Sequence, residues 1–451
     1  MVIQQRRRRL AGCALLGALA FCGVSHDVSG ETLRQSIESA VKMHPRVLAA
    51  EAQHRAARQD LAQAKGAYLP NLEANAAYGK ERTDTPLVQA IQGRAITLNR
   101  REAGLLMTQN LFDGLATTSE VQRQRARVDI ASSRLSEVRE EIALKAAEVY
   151  LEVLKNRHLL VLAQESLRVH LDTLEKVRLR VKGGVGHRAD LQQAMARVAL
   201  VRSTASARGG AHRQAEVNYR TVVGAAPSNL LEPSSSTTYL SKSGEIDAVR
   251  LTQTITQAAG TATSEHPTLR AATAEVAAAD ASVRGAKAPY YPRINLELSA
   301  NRNRNIGGIA GDYHSETAML VVHWNLFRGL ADRAQVTAFA ERRVAARDTA
   351  ANTRRDIEER ISVVLQAKAT SEERLALLQE YVNTTAEVVE SYRLQLDLGR
   401  RTLLDLLNAE NELFTARSNL AVGKYEDILN QYAVESAKGV LVKSLGIALA
   451  D

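Results

Sequence analysis

From Asn71 onward the chain alternates strictly. Leu72, Ala74, Ala76 and Tyr78 fall on one side, and Asn71, Glu73, Asn75 and Ala77 on the other. Far downstream, Ile294, Leu296, Leu298 and Ala300 alternate with Arg293, Asn295, Glu297 and Ser299. A period of two predicts strands with one apolar face. Polar loops follow at 79–102 and 301–316, and returning strands are predicted at about 103–109 and 318–324. In the latter, Ala318, Leu320, Val322 and Trp324 share a face. Each hairpin, 71–109 and 293–324, therefore has strands of about the ten residues that a tilted strand needs to cross a bilayer.

The period changes on either side of these hairpins. Residues 32–65 read as one helix. After each hairpin comes a very long helical stretch, 113–183 and 328–398, 71 residues apiece, with no proline between Pro86 and Pro227 or after Pro292. Each would reach ~105 Å if continuous. Leu135, Val138, Ile142, Ala146, Val149 and Val153 recur at coiled-coil spacing. Gly183-Gly184-Val185-Gly186 and Leu398-Gly399 supply helix stops. Helical pattern resumes after both, so each stretch closes into an antiparallel helical hairpin.

The two halves are copies of one unit. His44-Pro45, Lys65, Tyr68 and Pro70 recur 222 residues later as His266-Pro267, Lys287, Tyr290 and Pro292. Asn110-Leu111-Phe112-Asp113-Gly114-Leu115-Ala116 recurs at an offset of 215 as Asn325-Leu326-Phe327-Arg328-Gly329-Leu330-Ala331. The second copy thus lacks seven residues in the intervening loop. The offset of 215 then holds through Arg178 and Arg393, Gly184 and Gly399, Asp190 and Asp405. The domains predicted are a leader at 1–30, a first repeat at 31–224, a linker at 225–253 containing Pro227 and Pro233, a second repeat at 254–438 and a C-terminal tail at 439–451.

The leader reading rests on order. Arg6 to Arg9 are basic, Leu10 to Val24 apolar, Ser25 to Gly30 polar, the sequence of regions in a secretory signal peptide. Both cysteines, Cys13 and Cys22, fall inside it, which leaves the remainder without a disulfide or a thiolate site. Removing the four arginines and Asp27 lowers the formal net charge from +9 to +6, a modest excess that gives no reason to invoke nucleic acid. The apolar run is too short for a spanning helix. A composition of 45% hydrophobic and 24% charged residues is too apolar for a disordered chain.

Geometry narrows the class further. Two hairpins give four strands, four strands cannot close, and an open strand edge cannot sit in lipid. Eighteen aromatics (12 Tyr, 5 Phe, 1 Trp) are also few for a large barrel made by one chain. The chain must pool strands with copies of itself, and a homotrimer would give twelve. The fold class predicted is mainly α with β: a long coiled-coil α-helical barrel plus a transmembrane β-barrel assembled from four strands per protomer. A periplasmic coiled-coil adaptor or scaffold would account for the leader and the helices, but not for two matched hairpins each with one apolar face.

The leader, the twofold repeat, the Ala67-Tyr68-Leu69-Pro70 entry to a strand, the Asn-Leu-Phe-Asp-Gly exit and the glycine-turned helical hairpins together resemble the TolC family of outer-membrane efflux and export proteins. The resemblance covers nearly the whole chain after the leader. It implies a homotrimer in the outer membrane, reaching into the periplasm. It also implies docking to a periplasmic adaptor (membrane fusion protein) and an inner-membrane transporter. Residues 109–128 and 184–202 are similar to members that serve type I secretion, where an ABC transporter exports an unfolded protein, often a repeat-rich toxin or adhesin. Drug efflux is the alternative within the family.

Catalysis has no candidate. Ten histidines are scattered without an HExxH spacing, no metal site is expected, and no cofactor is called for. The glycine groups at 183–186 and 307–311 lack the Lys-Ser/Thr of a phosphate loop. His323 is expected to face a lumen. Trp324 suits either an interfacial girdle or packing at the junction of barrel and helices. The resemblance instead points to the turns. Its pattern Gly-Thr-Arg-Thr-x-x-Asp-Val-Leu-Asp meets Gly399-Arg400-Arg401-Thr402-Leu403-Leu404-Asp405-Leu406-Leu407-Asn408 here. By that match, Asp190 and Arg401 would form a periplasmic gate, Asp405 and Asn408 would line the pore constriction, and Gly184 and Gly399 would be the adaptor-contact tips. Asn408 stands where the pattern has a second Asp, so one of two acidic rings is expected to be missing.

Overall fold

The computed structural model describes residues 30–233 and 265–447. The leader, most of the linker, the start of the second repeat and the last four residues lie outside them.

The first repeat opens with α1 (Leu33–Met43) and α2 (Pro45–Gly66). The single helix expected over 32–65 is broken at His44, whose backbone is extended (φ −67°, ψ 131°). Pro45 enforces this, because its ring clashes with a helical residue before it. His44 then caps α2, its Nδ1 accepting from the Arg46 amide at 3.2 Å. The repeat reproduces the device: His266 caps α6 (Pro267–Ala286) through the Thr268 amide, also at 3.2 Å.

The sheet contains β1 (Asn71–Thr83), β2 (Ile96–Phe112), β3 (Arg293–Arg304) and β4 (Asp312–His323), antiparallel and in that order. The strands are longer than the alternation indicated, and the loops correspondingly shorter. The β1–β2 connection holds a seven-residue helix, α3 (Pro86–Gln92), which the β3–β4 connection does not have. The register aligns the alternating residues of all four strands. Leu72 faces Met107, Met107 faces Leu298, and Leu298 faces Ala318. Ala74, Leu105 and Ala300 form the next row. One face is thus an exposed apolar band. The other carries Asn75, Glu297, Ser299, Asn301 and His323, with Gly104 leaving room for the amides of Asn75 and Asn301. His323 lies on this polar face; Trp324 lies one residue past the end of β4 and is exposed.

Two turns convert strand to long helix. α4 (Ala116–Lys182) and α7 (Ala331–Asp397) are each 67 residues, about 100 Å. Both follow a Gly-Leu pair in the left-handed region: Gly114 (φ 67°) and Leu115 (φ 68°), Gly329 (φ 59°) and Leu330 (φ 65°). In the first copy Asp113 accepts from the Thr117 amide at 2.8 Å, from the Thr117 hydroxyl and from Asn110 Nδ2 at 3.0 Å. Burial opposes ionisation of Asp113, but these bonds outweigh it and hold its carboxyl below the usual range. In the second copy Arg328 and Asp332 occupy the equivalent places as an ion pair of 3.1 Å. The left-handed Gly-Leu turn is kept while an ion pair replaces the Asp113–Thr117 hydrogen bonds.

α5 (Arg188–Val223) packs back on α4, and α8 (Leu403–Ala437) on α7. The main core is at the waist, where α1, α4, α5 and α8 meet. Leu135, Ile142, Ala146, Val149 and Val153 are buried there and Val138 packs against them, as the heptad spacing predicts. Ala143, Ala146 and Ala147 have no exposed surface and let the helices approach closely. Buried Tyr150 and Tyr219 both bond to Glu31, through its carbonyl at 2.8 Å and its carboxylate at 2.6 Å.

The predicted tail, 439–451, contains a short helix. α9 (Leu441–Ser444) is docked on α4, with Leu441 fully buried. Glu140 accepts both the Leu441 and Val442 amides, at 2.9 and 3.0 Å. Burial raises the Glu140 carboxyl to about 7 despite those bonds. The described part of the linker is likewise tied down: Leu230 is buried and the Leu231 amide donates to the Glu31 carbonyl at 3.1 Å.

Candidate functional site at the helical tips

The two glycine turns lie at the same end of the long helices. Gly184 (φ 77°) and Gly399 (φ 72°) adopt the left-handed backbone that favours glycine, and a Cβ at either would meet nothing within 4 Å. The turns are therefore open to solvent and strained for any other residue. The helices beyond them start in register. Asp190 and Asp405 each stand three residues after the N-cap, His187 and Thr402 respectively. A carboxylate there complements the partial positive charge of a helix N-terminus.

The two copies differ in how they use it. Asp405 completes a capping box: its carboxylate accepts from the Thr402 amide at 3.2 Å and the Thr402 hydroxyl at 2.8 Å, while the Asp405 amide donates back at 3.2 Å. These Thr402 bonds hold its carboxyl below the usual carboxylate range. His187 makes no side-chain cap, so Asp190 has no such partner.

Asp190 and Arg401 are not joined within one chain. The Arg401 guanidinium lies 4.4 Å over the Tyr392 ring, and its Nε donates to Gln395 at 3.1 Å. Arg401 is thereby held against its own hairpin, on the surface. Asn408 is engaged instead by a residue that pattern reading passed over. Arg197 Nη2, on α5, donates to Asn408 Oδ1 at 2.8 Å and ties the two helical hairpins together. A long basic residue eleven positions past Gly186 carries no spacing signal, and only the folded arrangement identifies it.

Arg180 at the end of α4 approaches Asp397 at the end of α7 across the same gap at 3.8 Å, while within the second hairpin Arg393 of α7 pairs with the largely buried Glu410 of α8 at 2.8 Å. Between the hairpins lies a cleft of about 340 Å³, floored by Val169, Val177, Leu396 and Leu406 and rimmed by Arg180, Asp190 and Asp397. Among the described residues there is no cluster of His, Cys, Asp and Glu able to hold a metal, and no helix long and apolar enough to cross a membrane.

An exposed apolar sheet face with unpaired outer edges, joined to ~100 Å helices that end in charged turns, fits a membrane protein whose sheet closes with further strands. The family model described as outer membrane efflux protein matches residues 36–225 and 258–439, and the chain belongs to that family, the TolC-type channels. Outer membrane efflux protein BepC of Brucella suis biovar 1 is 25% identical over 98% of this chain and 91% of its own length. Outer membrane protein TolC of Vibrio cholerae serotype O1 is 23% identical over 95% of this chain and 94% of its own. Alkaline protease secretion protein AprF of Pseudomonas aeruginosa is 22% identical, over 89% and 83%. The solved structure of the outer membrane protein VceC from Vibrio cholerae superposes with a TM-score of 0.76 at 18% identity, over 90% of this chain and 96% of that one. The protein is thus an outer-membrane efflux or secretion channel whose helices extend into the periplasm.

Proposed function

We propose that three copies of this chain form one duct that passes an unfolded protein outward in a type I secretion system. The observation that carries the trimer is the sheet. β1 and β4 are its two edge strands, 13 and 12 residues long, and the outer side of each has no strand partner among the described residues. Unpaired edges beside an apolar face require closure in lipid, and β4 of one copy against β1 of the next supplies it. The mass of the detergent-extracted particle is expected to be that of three chains. A folded monomer inserted in membranes defeats the reading.

The secretion role is supported by the likeness of the two turn-proximal stretches, 109–128 and 184–202, to secretion members, and by the similarity to AprF along most of the chain. Deleting the gene is expected to remove one or a few large proteins from the culture medium and to leave susceptibility to dyes and detergents unchanged. The converse outcome favours small-molecule efflux, the reading suggested by the similarity to BepC.

In this reading the tips at Gly184 and Gly399 contact a periplasmic adaptor, which links the duct to an inner-membrane ABC transporter. Asp190 and Arg401 of neighbouring copies form the gate, and Asp405 an acidic ring inside it. Replacing Gly184 or Gly399 with tryptophan is expected to lower export at least several-fold while trimer yield holds, because the added bulk projects into open space where a partner would sit. Normal export from both variants moves the docking site elsewhere.

A further inference from the structure

The outward face of the sheet is not apolar throughout. Its apolar rows end at Ala76, Ala103 and Ala300. Beyond them, toward the hairpin turns and away from the helices, the same face carries Lys80 and Arg82 on β1, Arg101 on β2, and Arg302 and Arg304 on β3. β4 adds Glu316, His314 and Asp312 on that face. Five fixed cations there meet two carboxylates. The opposite face at the same height is the reverse: Arg100 sits between Glu81, at 3.1 Å, and Glu102.

The outward cations are crowded and poorly compensated. Arg101 and Arg304 are direct cross-strand partners, an arrangement that destabilises a sheet when nothing neutralises it. Arg101 lies 5.7 Å from the Tyr78 ring centroid and pairs with no carboxylate among the described residues. Arg304 reaches Asp312 only at 3.7 Å. The side chains of Lys80, Arg82 and Arg302 make no ion pair or hydrogen bond among the described residues. All five are exposed.

We propose that this girdle binds the phosphates of a phosphorylated glycolipid in the outer leaflet. The position selects the ligand. The girdle continues directly from the lipid-facing band, so in the membrane it stands at the headgroups of the leaflet farthest from the periplasmic helices. Guanidinium forks match phosphate oxygens bidentately. A lipid phosphate between Arg101, Arg302 and Arg304 relieves the like-charge pairing while its acyl chains cover Leu105, Leu298 and Ala300. The proposal rests on the trimeric barrel reading.

The test uses the full-length trimer, its particle mass measured first so that failure of the trimer is seen separately. Delipidated protein is mixed in detergent with diphosphorylated lipid A or with chemically dephosphorylated lipid A carrying the same acyl chains. Bound lipid per trimer is counted by native mass spectrometry. The phosphorylated form is expected to bind about tenfold or more tightly, the scale set by several cationic side chains near an anionic leaflet. The triple variant Arg101→Gln, Arg302→Gln, Arg304→Gln is expected to lose that preference. Equal binding of the two lipids by the wild type overturns the proposal, whether or not the variant folds. So does a triple variant that keeps the preference.

Discussion

Lys368→Met is expected to destabilise the protein by about 3–5 kcal/mol, the usual effect of removing one partner from a buried ionic cluster. The Lys368 ammonium lies between α7 and α8, 2.7 Å from Asp427 and 3.1 Å from Glu372. Side-chain exposures of 2%, 8% and 9% place all three out of water. Ser371 also donates to Asp427, at 2.8 Å. Without the ammonium, the Asp427 and Glu372 carboxylates stay buried around the space it filled, and desolvation and repulsion act in the same direction. The repeat supplies an internal control. At an offset of 215, Val153 occupies the place of Lys368 and is buried, while His212 replaces Asp427. The helical hairpin therefore accepts an apolar side chain here once no carboxylates face it. Adding Asp427→Leu and Glu372→Gln to Lys368→Met is accordingly expected to restore most of the loss, since whole buried pairs can be exchanged for apolar groups at little cost. Thermal unfolding of the detergent-solubilised protein at fixed concentration reads both variants. If the single and the compensated variants melt together, the cluster does not hold this hairpin.

That cluster also shows where sequence reading reaches and where it stops. Ile357, Ile361, Leu365 and Lys368 follow one another at seam spacing, and the first three are buried. A lysine on that seam was a signal available in the sequence, but its partners on α8 were not. Element starts were far more legible, because the repeat registers them twice: α4 and α7 begin 215 residues apart, and so do α5 and α8. Strand ends were not. β1 runs on to Thr83 and β2 begins at Ile96, where alternation of apolar and polar residues has ceased. Arg100, Arg101 and Glu102 place charge on both faces, as a strand can once it leaves the apolar layer, and period-two reading fails there for that physical reason. The break at His44 came from a local clash that helical periodicity does not register. At the tips, the acidic positions were found through the family pattern. The contacts of Asn408 and Arg401 were not, because Arg197 and Tyr392 reach them through side-chain length rather than spacing.

Asp190→Ala combined with Arg401→Ser is expected to raise single-channel conductance in planar bilayers. Within one chain Arg401 is stacked on Tyr392, and Asp190 heads a helix that has no side-chain cap. Asp190 is thus free of a capping duty, Arg401 reaches a neighbouring copy by giving up its Gln395 bond, and threefold symmetry repeats the contact three times. One exposed pair contributes roughly 0–1 kcal/mol. Three together are enough to bias a closed mouth, and weak enough for a docked partner to break. Asp405 calls for a separate variant, because it has two jobs to distinguish. Asp405→Ala removes both the charge and the acceptor that Thr402 uses; Asp405→Asn keeps an acceptor and removes only the charge. If Asp405 forms an acidic ring, both substitutions weaken cation preference and block by multivalent cations to the same degree. If it serves only to cap α8, Asp405→Asn leaves selectivity intact. Asn408 is bound to Arg197 at 2.8 Å, which sets a basic residue beside the position where the family pattern has its second carboxylate. Arg197→Gln is thus expected to increase cation preference. Unchanged conductance in the double variant, with unchanged selectivity in all three single ones, places the gate elsewhere in the duct.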